Sequence, residues 1–342
     1  MNFETTFTDL SNWLPKEWER PQKGSSSITI FENPDTSEIY FFKESHTRYE
    51  LEFWSEIIAS KFGQLLGLDV LDYNIGYYKG NLGCLSKRMV NPDAGQILYH
   101  GVEILNDHVE SFEMTDKPVF SYQDLTQLCE KTDFKHLLYH FHELMIFDAL
   151  IGNTDRHTEN WAFIRNFSAK IDLPKLNREK NPSLLKLVIA FILNKRKYKQ
   201  FFVNNDSSLK LVMNLTHKAS PIYDSGCCLG REIAEDKVNE FAKDQKRLDS
   251  YSEKGKSEIR WNSERIGLFE IIRRLSKNNQ ELRNIIKRLD KDKLHDSITT
   301  IVNQIDVNVP LEIQKTRLTL HRKQFIVQLL IFRFQKLKNI LG

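Results

Sequence analysis

The spacing of apolar positions changes period along the chain, and each change marks an element. Ile28-Thr29-Ile30-Phe31 and Ile39-Tyr40-Phe41-Phe42-Lys43 are short β-rich runs on either side of Asn33-Pro34-Asp35, which predicts a hairpin. Val70–Tyr78 and Leu82–Val90 repeat the pattern across Lys79-Gly80-Asn81. Together these runs predict a small antiparallel sheet of four or five strands. Between the hairpins, 50–67 has helical periodicity, with Phe53, Ile57, Phe62, Leu65 and Leu66 on its apolar face and Gly67 as a stop. Residues 1–20, with Trp13 and Trp18 among polar neighbours, read as a docking arm or cap.

From about residue 94 the pattern is helical. A helix fed by 134–143 breaks at Gly152-Asn153, and a polar loop leads into a short apolar strand, Trp161–Ile164. Residues 165–208 are irregular and basic, and Pro182–Leu193 followed by Asn194-Lys195-Arg196-Lys197 reads as a buried helix with a basic last turn. Strands are expected at Leu209–Leu215 and again just before Asp224, and 231–342 reads as a helical bundle. The expectation is an α+β chain of two lobes: residues 1–91 as a small antiparallel β-sheet lobe with one helix, and 92–342 as a larger, mainly helical lobe.

Composition changes this picture little. Charged residues at 28% and hydrophobic ones at 40% belong to a folded globular chain and exclude a disordered one. A net charge of +3 over 342 residues gives no reason to expect a dedicated nucleic-acid site. The four cysteines, Cys84, Cys129, Cys227 and Cys228, show neither C-x-x-C nor zinc spacing and are expected as reduced thiols. His136, His140 and His142 are expected as ordinary helix histidines rather than metal ligands. The apolar run Leu184–Leu193 is far shorter than the ~20 residues a membrane span needs, and Met1–Thr5 has no secretory character, so a cytoplasmic, non-transmembrane protein is expected.

The chemistry concentrates in Asn153-Thr154-Asp155-Arg156-His157-Thr158-Glu159-Asn160. In Asp155-x-x-x-x-Asn160 a carboxylate can orient or deprotonate a hydroxyl, and an amide oxygen five residues on can bind Mg²⁺, which is kinase catalytic-loop spacing. Asp224-Ser225-Gly226 ends an apolar run, the context of a second Mg²⁺ ligand. Lys43 ends a strand, and Glu52 and Glu56 share a helix face from which either can meet it. Gly24 with Ser25, Ser26 and Ser27 precedes the first strand, where small residues let N–H groups and hydroxyls approach phosphate. Arg88-Met89-Val90 reads as the hinge, with adenine against its backbone. Each piece alone is commonplace; their order follows the parts of a phosphoryl-transfer site.

Asn153–Phe163 resembles the Asn-x-Asp-x-His-x-x-Asn-Trp signature of HipA-like kinases, and the chain is most similar to the cell-translocating type in that family. Ser55–Ala59, Leu66–Val70 and Pro221–Gly226 are similar to that group's small-lobe helix and metal-Asp strand, so the resemblance covers about 20–235. It implies a protein-kinase-like fold and ATP- and Mg²⁺-dependent serine/threonine phosphorylation. Asp155 would then be catalytic and His157 a brace for its loop, with Asn160 and Asp224 the metal ligands. Lys43 and Glu56 would be the phosphate lysine and its partner, and one of Ser25–Ser27 the autophosphorylated serine. It also implies a protein substrate, an antitoxin-like or host protein as partner, and translocation into a host cell as an alternative to the cytoplasm. The segment between Asn160 and Asp224 is longer than that family usually has, so its basic helix reads as a private insertion. Two other readings stand beside this one: a phosphatidylinositol-type lipid kinase, against which Asp-Ser-Gly replaces the usual Asp-Phe-Gly, and a non-catalytic ATP-binding regulator.

Overall fold

The computed structural model describes residues 4–17, 28–45, 48–115, 117–132, 134–172, 210–277, 279–290 and 293–342. Gly24, Ser25–Ser27, Trp18 and the expected helix 182–193 with its basic turn lie outside the described residues.

Both expected hairpins form. Strand β3 (Ile28–Glu32) pairs with β4 (Ile39–Glu44), and β5 (Tyr73–Tyr78) pairs with β6 (Asn81–Lys87), all antiparallel. The second turn places Lys79 at φ 48° and Gly80 at φ 91°, the doubly left-handed pair whose twist matches a two-residue hairpin. The sheet is larger than its periodic runs foretold. Residues read as a docking arm supply β1 (Phe7–Asp9) and β2 (Leu14–Lys16), giving six strands in the order β1-β5-β6-β4-β3-β2. β1 joins β5 in parallel, so the sheet is mixed at that edge. Thr5, just ahead of β1, donates to the Ile305 carbonyl at 2.6 Å and accepts from Asn308 Nδ2 at 2.7 Å, fastening the start of the sheet to the far end of the sequence.

Alternation along β4 sorts its side chains. Phe42 packs with Leu10, Phe31 and Leu85 in a small core on one face. Lys43 points to the other face, where Ile75 and Cys84 meet helix α1 (Glu52–Leu66) in the main core. α1 is buried nearly all round, acids included, and stops at Gly67 in the left-handed conformation (φ 76°).

The remainder is mainly helical: α2 (Gly101–His108), α3 (Tyr122–Lys131), α4 (Leu138–Ile151), α5 (Glu235–Lys243), α6 (Gln245–Lys254), α7 (Leu268–Ser276), α8 (Gln280–Leu289), α9 (Leu294–Gln304) and α10 (Leu320–Leu341). α4 lies almost wholly in the core and α10 packs against it. The chain divides into two compact units, one of residues 1–90, 98–163 and 218–342, the other of 91–97 and 164–217. A three-stranded sheet has β8 (Ala162–Asp172) between β7 (Gln96–His100) and β9 (Lys210–Ala219). β8 is an eleven-residue strand, far longer than the four expected apolar residues. The site described below belongs to the first unit.

His142, buried in α4, joins Tyr122 (Nε2 to hydroxyl, 3.0 Å) to Glu281. His140 on the same helix is partly buried, and burial, with the Arg156 charge beyond it, pushes its pKa down to about 4. The unfolded chain therefore takes up this proton first, near pH 6.5. Stability from this group is complete above that pH and falls as the pH drops towards 4, by about 2 kcal/mol once partial exposure is allowed for. His140→Gln is expected to remove that slope from urea midpoints measured between pH 7 and 4.5; an unchanged slope would reject the assignment.

Candidate active site

The last turn of α4 carries Asp148, a single carboxylate among Phe147, Ala149, Leu150 and Ile151, and only 3% exposed. A charge in such a setting needs a partner. Gly152, left-handed at φ 75°, closes the helix with its N–H on the Asp148 carbonyl and turns the chain back over the carboxylate. Arg156, eight residues on and 1% exposed, then meets Asp148 with two parallel bonds, Nε to Oδ2 at 3.0 Å and Nη2 to Oδ1 at 2.8 Å. Asn153 Nδ2 adds a third donor to Oδ1 at 3.0 Å.

The other edge of the guanidinium gathers the site. Arg156 Nη1 donates to the carbonyls of Asn160 (2.8 Å) and Tyr223 (2.5 Å), and Nη2 to Ser225 Oγ (3.0 Å). One nitrogen holding both carbonyls keeps the Asp155–Asn160 loop and the Asp224 segment no farther apart than two hydrogen bonds. Within the loop, Asn160 Nδ2 donates to the Asp155 carbonyl at 2.7 Å. A carbonyl only accepts, so the amide oxygen of Asn160 is turned away and left for another ligand. His157 braces the turn: its N–H reaches the Asp155 carbonyl at 2.9 Å, and its Nδ1 accepts from Glu159 N at 3.3 Å.

Ile222 bridges to Val70 in parallel, which brings the Asp224 segment against the β-sheet side of the unit. Asp224 itself takes φ 53°, a left-handed conformation that costs a non-glycine residue of order 1 kcal/mol and is retained where a side chain must be aimed. Its carboxylate is 35% exposed, and Oδ1 lies 2.5 Å from Lys43 Nζ. Glu56 Oε2 is 3.9 Å from the same ammonium, and Glu56 Oε1 accepts from Ser225 N at 2.6 Å. Gly226 is required by this approach, since a Cβ there would stand 2.9 Å from Glu56 Oε2.

The charges respond to one another. Burial pushes the Asp224 carboxyl up, but the Lys43 charge and hydrogen bond, with Arg156 and His157 behind them, hold it below its ordinary value. Burial works against the Lys43 ammonium too, and Asp224 and Glu56 outweigh it, so Lys43 is held well above its usual value. Glu56 is the strained member: burial raises it to about 7 against the pull of Lys43, and Oε2 is buried with no hydrogen-bond partner among the described residues. Glu56 Oε2, beside the Lys43–Asp224 pair, is therefore the polar atom of this cluster whose bonding is unmet among the described residues. A divalent ion that prefers oxygen would find donors of the right kind in the Asn160 amide oxygen and the Asp224 carboxylate.

No protein-family model matches the sequence. The chain is 25% identical over 162 residues to the serine/threonine-protein kinase CtkA of Helicobacter pylori, a stretch that covers 44% of this chain and 49% of that protein. The match thus spans about half the length of this curated relative. The crystal structure of the proinflammatory kinase CtkA of Helicobacter pylori superposes with a TM-score of 0.69 over 98% of this chain and 96% of that one, at 16% identity. The chain is related to CtkA and shares its fold. The resemblance to the cell-translocating type of kinase expected from Asn153–Phe163 is borne out, as is the α+β fold of a β-sheet portion and a helical one. HipA of Shewanella oneidensis MR-1, from a complex with HipB and operator DNA, aligns at a TM-score of 0.43 and 13% identity, over 94% of this chain and 67% of that one.

In this CtkA-like fold Lys43, Glu56, Asp155, His157, Asn160 and Asp224 fall in one region. Glu52, the alternative partner for Lys43, turns instead to Arg231 at 2.5 Å, and Arg231 also stacks over Tyr49. Arg88–Val90 leave β6 half-buried, with Arg88 N on the Ile39 carbonyl at 2.9 Å. Sequence reasoning missed Asp148 and the role of Arg156, although a lone acid in an apolar helix end was the available signal. It also missed Tyr223, whose hydroxyl donates to the Glu159 carbonyl at 2.8 Å, and Cys227, which faces Asp155; neither carries a pattern of its own.

Proposed function

We propose that the chain is an ATP- and Mg²⁺-dependent serine/threonine protein kinase. The observation that supports this best is the convergence of Lys43, Glu56 and Asp224 on the loop that carries Asp155 and Asn160, through the single guanidinium of Arg156. Asp155 orients the acceptor hydroxyl and receives its proton, while Lys43, oriented by Glu56, neutralises the ATP phosphates. Asn160 and Asp224 would hold Mg²⁺, which when bound would supply charge neutralisation at the transferred group. Such catalysis is mostly positioning and electrostatics, which a pre-bonded cluster of this kind provides. Residues 1–91 then form the nucleotide-holding lobe, with adenine against Arg88-Met89-Val90, and 92–342 the lobe that presents the acceptor. Phosphate placed by autophosphorylation on one of Ser25–Ser27 would repel ATP and draw that segment away. The acceptor is a protein, in the cell itself or in a host.

The deciding experiment offers labelled ATP with Mg²⁺ to the purified chain together with protein and phosphoinositide acceptors. Label is expected on protein serine or threonine, Asp155→Ala is expected to abolish it, and phosphopeptide mapping is expected to place self-label within Ser25–Ser27. Label in lipid alone would overturn the protein-kinase reading, and full self-labelling by Asp155→Ala would displace the chemistry from this loop.

A further inference from the structure

Among the described residues, the Asp155 carboxylate has one hydrogen-bond donor, and that donor is a thiol: Cys227 Sγ lies 3.2 Å from Asp155 Oδ2. The segment holding it is fixed on both sides. Ser225 N is bonded to Glu56 Oε1 at 2.6 Å, and Leu229 N to the Ile151 carbonyl at 3.0 Å. Cys228 is buried, with Sγ 3.8 Å from the Ser55 carbonyl, while Cys227 is half-buried and turned towards the loop. Those two bonds hold the backbone on either side of Cys227, and its thiol meets the Asp155 carboxylate.

We propose that Cys227 is a positioning residue for the phosphoryl transfer inferred above: its S–H holds Oδ2 of Asp155 and leaves Oδ1 to take the acceptor hydroxyl. In that step the acceptor oxygen bonds to the γ-phosphorus, the bond from that phosphorus to the β-γ bridging oxygen breaks, ADP departs, and the hydroxyl proton passes to Asp155. A thiol is a weak, long-reaching donor, so it fixes the carboxylate's rotation while leaving its charge available. Burial, and then the Asp155 charge, push the thiol well above its ordinary pKa, which keeps the proton on sulfur at physiological pH. The same shift makes Cys227 a poor nucleophile, so its place beside Asp155 does not read as a redox switch.

Two measurements test this, one of them independent of catalysis. In steady-state kinetics Cys227→Ala is expected to lower kcat about tenfold, the scale on which lost orientation acts, with the KM for ATP changed less than twofold. Cys227→Ser, which restores a hydroxyl donor, is expected to recover at least half the activity. Equal kcat for wild type and Cys227→Ala, or equal losses in both variants with unchanged thermal midpoints, would overturn the proposal. Separately, alkylation of Cys227 by iodoacetamide, read by peptide mass spectrometry at pH 8, is expected to run several-fold faster in Asp155→Asn than in wild type. The amide removes the charge that holds the proton on sulfur. An unchanged rate would refute the contact itself. A wild type that transfers no phosphate would refute the kinase reading, while the alkylation comparison would still decide the contact.

Discussion

Arg156→Met is expected to lose about 3–5 kcal/mol of folding stability, the range seen when one partner of a buried ion pair is removed. The loss has three parts that add in one direction. Asp148 is left charged at 3% exposure, the Asn160 and Tyr223 carbonyls lose their shared donor, and Ser225 Oγ loses its bond. Arg156→Lys is expected to recover little of it, since an ammonium has no planar fork to match Asp148 while reaching two carbonyls behind it. Urea unfolding of the two variants measures this directly. A Met variant within 1 kcal/mol of wild type would mean that the hub contributes little.

Asp224→Asn is expected to behave in the opposite way, with a large loss of activity and a small loss of stability. Phosphoryl transfer should fall at least about a hundredfold, because the substitution removes the charge that faces Lys43 and that, in the proposed mechanism, would hold the divalent ion. The side chain is 35% exposed, the amide keeps its size, and Lys43 retains Glu56 at 3.9 Å, so the stability change should stay near 1 kcal/mol. Single-turnover transfer and a thermal midpoint taken together check it. A variant that unfolds would make Asp224 a structural residue.

The candidate site was legible where chemistry restricts residue type and spacing. Asp155 and Asn160, five apart after a helix stop, and Asp224 after an apolar run announce themselves because their types and order are those of a phosphoryl-transfer site; the strand expected before Asp224 is only a single bridge at Ile222. Lys43 was legible only in their company. The choice between Glu52 and Glu56 was not, since both lie on one helix face and only the presence of Arg231 separates them. Asp148 and Arg156 pair across a helix end and a turn, a separation with no period for the eye to catch. The fold divides in the same way. The two hairpins and α1 follow from alternation and helical spacing, but Phe7–Asp9 and Leu14–Lys16 are three-residue strands, too short to show a period, and by sequence alone read as an arm. Their pairing is decided by the edges of a sheet already built.

The anchoring of Thr5 to Ile305 and Asn308 bears on how the protein is made. β1 and β5 both leave the ribosome within about the first eighty residues and can pair at once, but the clamp on Thr5 arrives only with Ile305 and Asn308. Until the turn after α9 supplies those two partners, β1 is a three-residue edge strand with one neighbour, free to fray.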